Sequence, residues 1–216
     1  MKGYKVQPLS YQELDGLSRP RNTEQPEGLP WVLYDTATFV SGTTTRLEFF
    51  TTLQTNKSLG NMDLAGSLTR GEYFMIYTIG LDILVPPLLS ATGTPEIGAL
   101  SDIQELLFGD AAGLGGDSGR FSFNMLSKSI GPFPISFLHA SGGPTGFGWA
   151  GDTATGQEAA SYANNGIFDG GFPFGQLVIA PNTQFSVVLE WGGTVTLVAD
   201  RALRVWMSGV KYRPIR

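Results

Sequence analysis

The chain has no cysteine, a single histidine and few charges: Asp, Glu, Lys and Arg make up 15% of its 216 residues, against about 25% in an average globular domain. Each scarcity excludes something. Without cysteine there are no disulfides and no thiolate metal sites, and the redox compartment is unmarked. With His139 alone, a metal centre that needs several histidines cannot be built. Long apolar runs are missing too. Residues 73–86 are the most apolar, yet Thr78, Gly80 and Asp82 interrupt them, and no run reaches the roughly 18 residues of a spanning helix. Residues 1–30 lack the apolar core of a secretory signal, so none is expected. A phosphate-binding loop is also absent, because the glycines at 113–116 are not followed by Gly-Lys-Ser/Thr.

What is plentiful is glycine, with 29 residues, and apolar side chains, at 42%. A chain of this length and composition suits one large β domain with long loops. The clearest pattern lies at 183–191, where Phe185, Val187, Leu189 and Trp191 alternate with Gln184, Ser186, Val188 and Glu190. Period-two alternation with aromatic and β-branched residues on one side predicts a half-buried strand. Residues 176–180 predict another, and Pro181-Asn182 supplies turn chemistry between them. That unit reads as strand, tight turn, strand.

Further strands are predicted at 31–40, 46–53, 72–85, 120–128, 135–140, 194–199 and 202–212. In 72–85 the residues Tyr73, Met75, Tyr77, Ile79, Leu81 and Ile83 alternate, and Pro86-Pro87 ends the run. Residues 54–71 read as a long connection and Gly131 to Pro134 as a separator. Residues 141–171, with nine glycines, read as a loop. One helix is predicted over 94–108, from Thr94-Pro95 to Gly109, with Ile97, Leu100, Ile103, Leu106 and Leu107 as its apolar stripe. It reads as an insertion covering a sheet edge or a barrel end. Residues 1–29 are polar and proline-bearing, and predict an extended N-terminal arm. Residues 30–216 predict a single domain: an all-β jelly-roll sandwich of about eight strands in two antiparallel sheets, with one short helix in a loop.

Chemistry-bearing motifs are weak. Gly116-Asp117-Ser118-Gly119 resembles the nucleophile motif of trypsin-like serine proteases. His139 follows Ser118, whereas that family places its histidine first, so catalysis is not expected. Asp152, Glu158 and Asp169 share one loop and do not make up the oxygen set of a hard cation. No cofactor, metal or catalytic residue is therefore assigned. Aromatics in and beside 141–171 suit either sugar stacking or a subunit contact, where aromatics are enriched. Trp149, Phe172 and Phe174 are the interface candidates there, with Tyr4, Val6, Leu14 and Leu17 in the arm.

Charge is unevenly placed. Residues 81–200 hold 2 basic and 11 acidic side chains, whereas residues 201–216 hold 5 basic and none acidic. Arg201, Arg204, Lys211, Arg213 and Arg216 are thus candidates for contact with nucleic acid, anionic lipid or an acidic neighbour, or else a solvated end.

Three stretches carry a resemblance: Thr55 to Leu68 leading into the strand at 73–85, Leu177-Val-Ile-Ala-Pro-Asn-Thr-Gln-Phe-Ser-Val-Val-Leu189, and Leu203 to Arg216. Over roughly residues 31–216 the chain resembles the jelly-roll capsid proteins of tailless icosahedral viruses, chiefly bacteriophages, some with an internal membrane. The resemblance implies a virion coat subunit that self-assembles into an icosahedral shell, with no catalytic residues. Its partners would be copies of itself, as trimers or pentamer- or hexamer-like capsomers, and other virion proteins. The genome or an internal membrane would be met through basic termini. The rival expectation is a carbohydrate- or receptor-binding jelly-roll module of a virion.

Overall fold

The computed structural model describes residues 26–84, 102, 105–107, 119–138, 145–152, 157–163 and 172–214, of which 145–163 are described by backbone alone. The strands are β1 (Pro26–Phe39), β2 (Arg46–Phe49), β3 (Tyr73–Leu84), β4 (Arg120–Met125), β5 (Lys128–Pro134), β6 (Thr145–Asp152), β7 (Gln157–Ala163), β8 (Phe172–Ile179), β9 (Phe185–Glu190) and β10 (Arg201–Pro214). Eight of them form two four-stranded sheets, ordered β1-β10-β3-β8 and β2-β9-β4-β5, and β6 pairs with β7 in a separate hairpin. All the pairings are antiparallel. Among these eight, strands that follow one another fall in opposite sheets except β4 and β5. This alternation between layers is the double Greek key of a jelly-roll sandwich.

The two layers close over an aromatic core. Phe39, Phe49, Phe50, Phe74, Phe121 and Phe123 are fully buried. Phe39 meets Trp191 edge-on at 4.9 Å, and Phe123 meets Phe185 in a stacked pair at 6.2 Å. Asp35 is buried among them. It accepts hydrogen bonds from the Phe50 and Thr36 backbone and from Gln54 Nε2 at 2.5, 2.9 and 2.9 Å. Burial raises its pKa against those three bonds. Phe50, just after β2, stands in the left-handed region, with φ 69°.

The strand readings at 46–53, 72–85, 183–191 and 202–212 match β2, β3, β9 and β10 in place. Other expectations are corrected. β1 starts at Pro26, so residues 26–29 belong to the sandwich and not to an arm. It is an edge strand, where a proline without a donor is tolerated. Pro181-Asn182 does not join a hairpin, because β8 pairs with β3 and β9 pairs with β2 and β4. That turn, with Asn182 at φ 57°, carries the chain from one sheet to the other.

The alternation in β3 does not keep one face. A register shift between Ile76 and Thr78 places Phe74 and Ile76, then Ile79, Leu81 and Ile83, against the core, and leaves Tyr73, Met75 and Tyr77 outside it. A bulge changes the phase of the pleat. Gly131 to Pro134 lies within β5, at a sheet edge, because Phe133 packs on Phe121 at 5.5 Å. Residues 135–138 are a 3-10 turn, not a strand. Residues 194–199 form no ladder. Their backbone is tied instead to the β1–β2 turn, by Gly42 N to Val195 O at 2.9 Å and Ser41 Oγ to Leu197 O at 2.9 Å.

Part of the expected helix is described. Residues 102 and 105–107 are helical, and Leu106 and Leu107 are fully buried in the core. Trp191 Nε1 donates to Leu106 O at 3.0 Å. Val198 N donates to Asp102 Oδ1 at 2.7 Å, and Arg201 forms an ion pair with Asp102 through its other oxygen, both side chains being buried. The segment is thereby fastened to the sandwich. The expected loop over 141–171 contains the β6–β7 hairpin, whose glycine and alanine content hid its pattern.

Candidate assembly surface

Two places combine exposed apolar side chains with backbone or polar groups open to a neighbour; Val40, Phe137 and Val198 are exposed elsewhere. The first is the free edge of β1. A strand edge presents unpaired donors and acceptors. Here Asn61, from the connection after β2, fills part of it. Its Nδ2 donates to Val32 O at 2.6 Å, its Oδ1 accepts from Tyr34 N at 2.9 Å, and its own N donates to Tyr34 O at 3.2 Å. Tyr34 Oη donates to Lys57 O at 2.6 Å. Beside this plugged stretch Trp31 and Val32 remain exposed.

The second is the connection over 51–68 and the β4–β5 turn. Leu53 and Leu64 are exposed in the connection, and Leu126, at the turn, is 72% exposed. Leu126 stands at φ 54°, so its side chain is held outward by a backbone that bulky residues seldom adopt. Its N donates to Gln184 O at 3.0 Å, while Gly66 N and O bond Phe50 and Phe185. These bonds bring the connection and the turn together around an open cleft of about 320 Å³, lined among others by Thr51, Ala65, Asn124, Leu126 and Gln184. Apolar side chains at the rim and neutral polar groups within suit association with another surface. Among the described residues no group of three or more His, Cys, Asp or Glu stands close enough to hold a metal ion.

The residues singled out from the sequence fall elsewhere. Tyr4, Val6, Leu14, Leu17, Arg216, Ser118, His139 and Asp169 lie outside the described residues. Trp149 sits on β6 opposite Ala160. Phe172 and Phe174 are half-buried and pack on the core: Phe172 meets Phe121 at 5.3 Å and Phe133 at 4.8 Å, and Phe174 meets Phe123 at 5.3 Å. Within the single chain they form part of the wall of the sandwich.

The basic end is likewise not a free patch. Arg201 is buried against Asp102, so a polyanion cannot reach it. Arg204 stacks over the Tyr34 ring at 5.2 Å and donates to Thr36 Oγ1 and Ser58 O at 3.2 and 2.9 Å. Lys211 pairs with Glu72 at 2.8 Å, over the Trp31 ring. Arg213 pairs with Glu27 at 3.1 Å. Asp102, Glu72 and Glu27 thus pair with Arg201, Lys211 and Arg213, and Arg204 is held by neutral oxygens, in a run that looked unopposed in sequence.

Sequence reasoning passed over Trp31, Val32, Leu53, Leu64 and Leu126. The available signal was an apolar residue inside a polar connection or a turn, as in Asp63-Leu64-Ala65 and Leu126-Ser127. Comparison of the chain with protein-family models, with curated proteins and with solved structures finds no match.

Proposed function

We propose that the chain is a viral coat subunit that assembles with copies of itself into a shell. In this reading it is a structural protein of the virion, not an enzyme. One observation carries the proposal: a jelly-roll sandwich that leaves Trp31 and Val32 exposed on its edge strand β1, and Leu53, Leu64 and Leu126 exposed in the connection after β2 and the β4–β5 turn. Lateral contacts are what a tile needs, since a stiff slab meets its neighbours side to side. The low charge content agrees, because sparse charge protects a solitary subunit poorly. The capsid resemblance of residues 31–216 supports the same reading.

The test is assembly state. Light scattering and negative-stain microscopy of the purified chain should show capsomers or particles. Leu64→Asp with Leu126→Asp should yield a folded subunit of single-chain mass. A wild-type chain that stays monomeric over a wide concentration range overturns the proposal.

The cleft of about 320 Å³ favours a second reading. Its amide and hydroxyl groups (Asn124, Gln184, Thr51) suit a saccharide or a receptor surface on a binding module. Glycan-array binding lost on Asn124→Ala, from a chain that does not assemble, would support that alternative.

A further inference from the structure

We propose that two copies of the chain meet about a two-fold axis at the β4–β5 turn, each placing its Leu126 in the other's cleft. The inference rests on the reading that the chain assembles with itself, and it names where one such contact falls.

It begins with a residue that costs its own subunit stability. Leu126-Ser127 is the two-residue turn between β4 and β5. Turns of this length take glycine or asparagine where φ is positive, yet Leu126 stands at φ 54° and is 72% exposed. Its backbone is strained, and its side chain leaves apolar surface in water. The turn is held by Leu126 N, which donates to Gln184 O at 3.0 Å, and glycine would keep that bond. The gain that offsets the strain therefore lies outside the subunit. An observed backbone outlier of this kind points to a function at that position.

The hole lies beside the knob. The turn, with Asn124 and Leu126, lines one side of the cleft of about 320 Å³, and the connection, with Ala65 and Gly66, lines the other. Gln184 and Phe185 lie between, bonded to the turn through Gln184 O and to the connection through Phe185 N. The residues that line the cleft are uncharged, so two chains of net charge −5 can approach there without like charges in contact. A knob and a hole on one surface are self-complementary under a two-fold rotation, which sets residue i against j and j against i. With the axis between the two sides, each copy's turn lies over the other's connection. Leu126 then meets Ala65 and the exposed Leu64 beside it. The flanking charges agree. Lys128, just beyond the turn, is exposed and has no ion pair among the described residues. Asp63, just before Leu64, has a side chain 62% exposed in its 3.4 Å pair with Lys57. The same rotation turns Lys128 of each copy towards Asp63 of the other.

Two measurements on the full chain test this. The first uses its freedom from cysteine. Leu126→Cys chains and Ala65→Cys chains, told apart by a mass tag, are mixed, allowed to associate and mildly oxidised. The main product should be a disulfide between 126 of one chain and 65 of the other, while Val198→Cys, exposed elsewhere, should join neither. Association without the 126–65 product overturns this contact and leaves the shell reading standing; a wild-type chain that never leaves the monomer overturns both. The second measurement is association by sedimentation, with subunit stability read alongside. Leu126→Gly should weaken association about tenfold, equivalent to about 1.4 kcal/mol. The urea midpoint of the subunit should hold or rise, because glycine accepts the left-handed backbone. Lys128→Glu and Asp63→Lys should each weaken association roughly threefold, as an exposed ion pair would, and together restore it. Unchanged association in Leu126→Gly overturns the proposal, as does a double variant no better than either single one.

Discussion

The two outward faces of the sandwich differ in kind. The β2-β9-β4-β5 face carries Arg46 and Glu190, paired across strands at 2.7 Å, with Glu48 on the same guanidinium. Each of these side chains is about half exposed. The β1-β10-β3-β8 face carries buried Met75 and Tyr212 packed with two further tyrosines and two valines, and at its other end Trp206 packs against Gly80. One face is ordinary surface, and the other carries a patch packed as if it were core beside polar groups such as Thr78, Ser208 and Arg204. The difference teaches that outward in the pleat does not mean solvated: the identity of the residues in a face shows where it packs.

The comparison can be scaled, broken and sharpened by substitution. The scale is set between the faces, at the buried Arg201–Asp102 pair. Asp102→Ala leaves an uncompensated buried guanidinium and should lower unfolding free energy by about 3–5 kcal/mol, read from urea midpoints. On the aromatic face, Met75→Ala should cost about 2–5 kcal/mol, as a core truncation does. A loss below that range, near the effect of a surface change, breaks the comparison.

Gly80→Ala sharpens it at the other end. A Cβ there would fall 1.9 Å from the Trp206 ring, so the indole must lift. A cost of about 1–3 kcal/mol is expected, with a red shift in tryptophan emission. On the charged face, Arg46→Ala should change stability by less than about 1 kcal/mol, because exposed ion pairs contribute little.

The smallest effect is confined in pH. Burial raises the pKa of Asp82 above the ordinary 3.8, while the Trp206 N–H bond and the Arg204 charge oppose the rise. A carboxyl raised on folding supports the folded state while protonated and withdraws that support as pH climbs through its folded pKa. Wild-type urea midpoints should therefore fall as pH rises from about 4, and Asp82→Asn should flatten that decline. Asp35, raised for the same reason, keeps part of it. Parallel profiles of the two proteins would show that Asp82 contributes nothing.

The layer architecture was legible because the alternation at Phe185 to Trp191 and the long strand ending at Tyr212 carry a clear period. Pairing was not, since alternation assigns faces and leaves partners open. The bulge at Tyr77 was hidden because Phe74, Met75, Ile76 and Tyr77 are apolar on both sides of the pleat. The β6–β7 hairpin was hidden because Gly148, Ala150, Ala159 and Ala160 carry no hydrophobic signal. Of the site, the basic end was legible as composition only. The partners that neutralise Arg201 and Lys211 come from residues 102 and 72, and no local pattern announces them. Leu64 and Leu126 sit where isolated apolar residues have no period at all.

Asn61 has a larger consequence than its three hydrogen bonds. By answering the backbone of Val32 and Tyr34 with an amide side chain and its own N–H, it occupies sites that a foreign chain would need in order to zip onto β1. At high local concentration that route leads to open-ended fibrils. Blocking it restricts growth to contacts between finished bodies, which is the condition for an aggregate that closes upon itself.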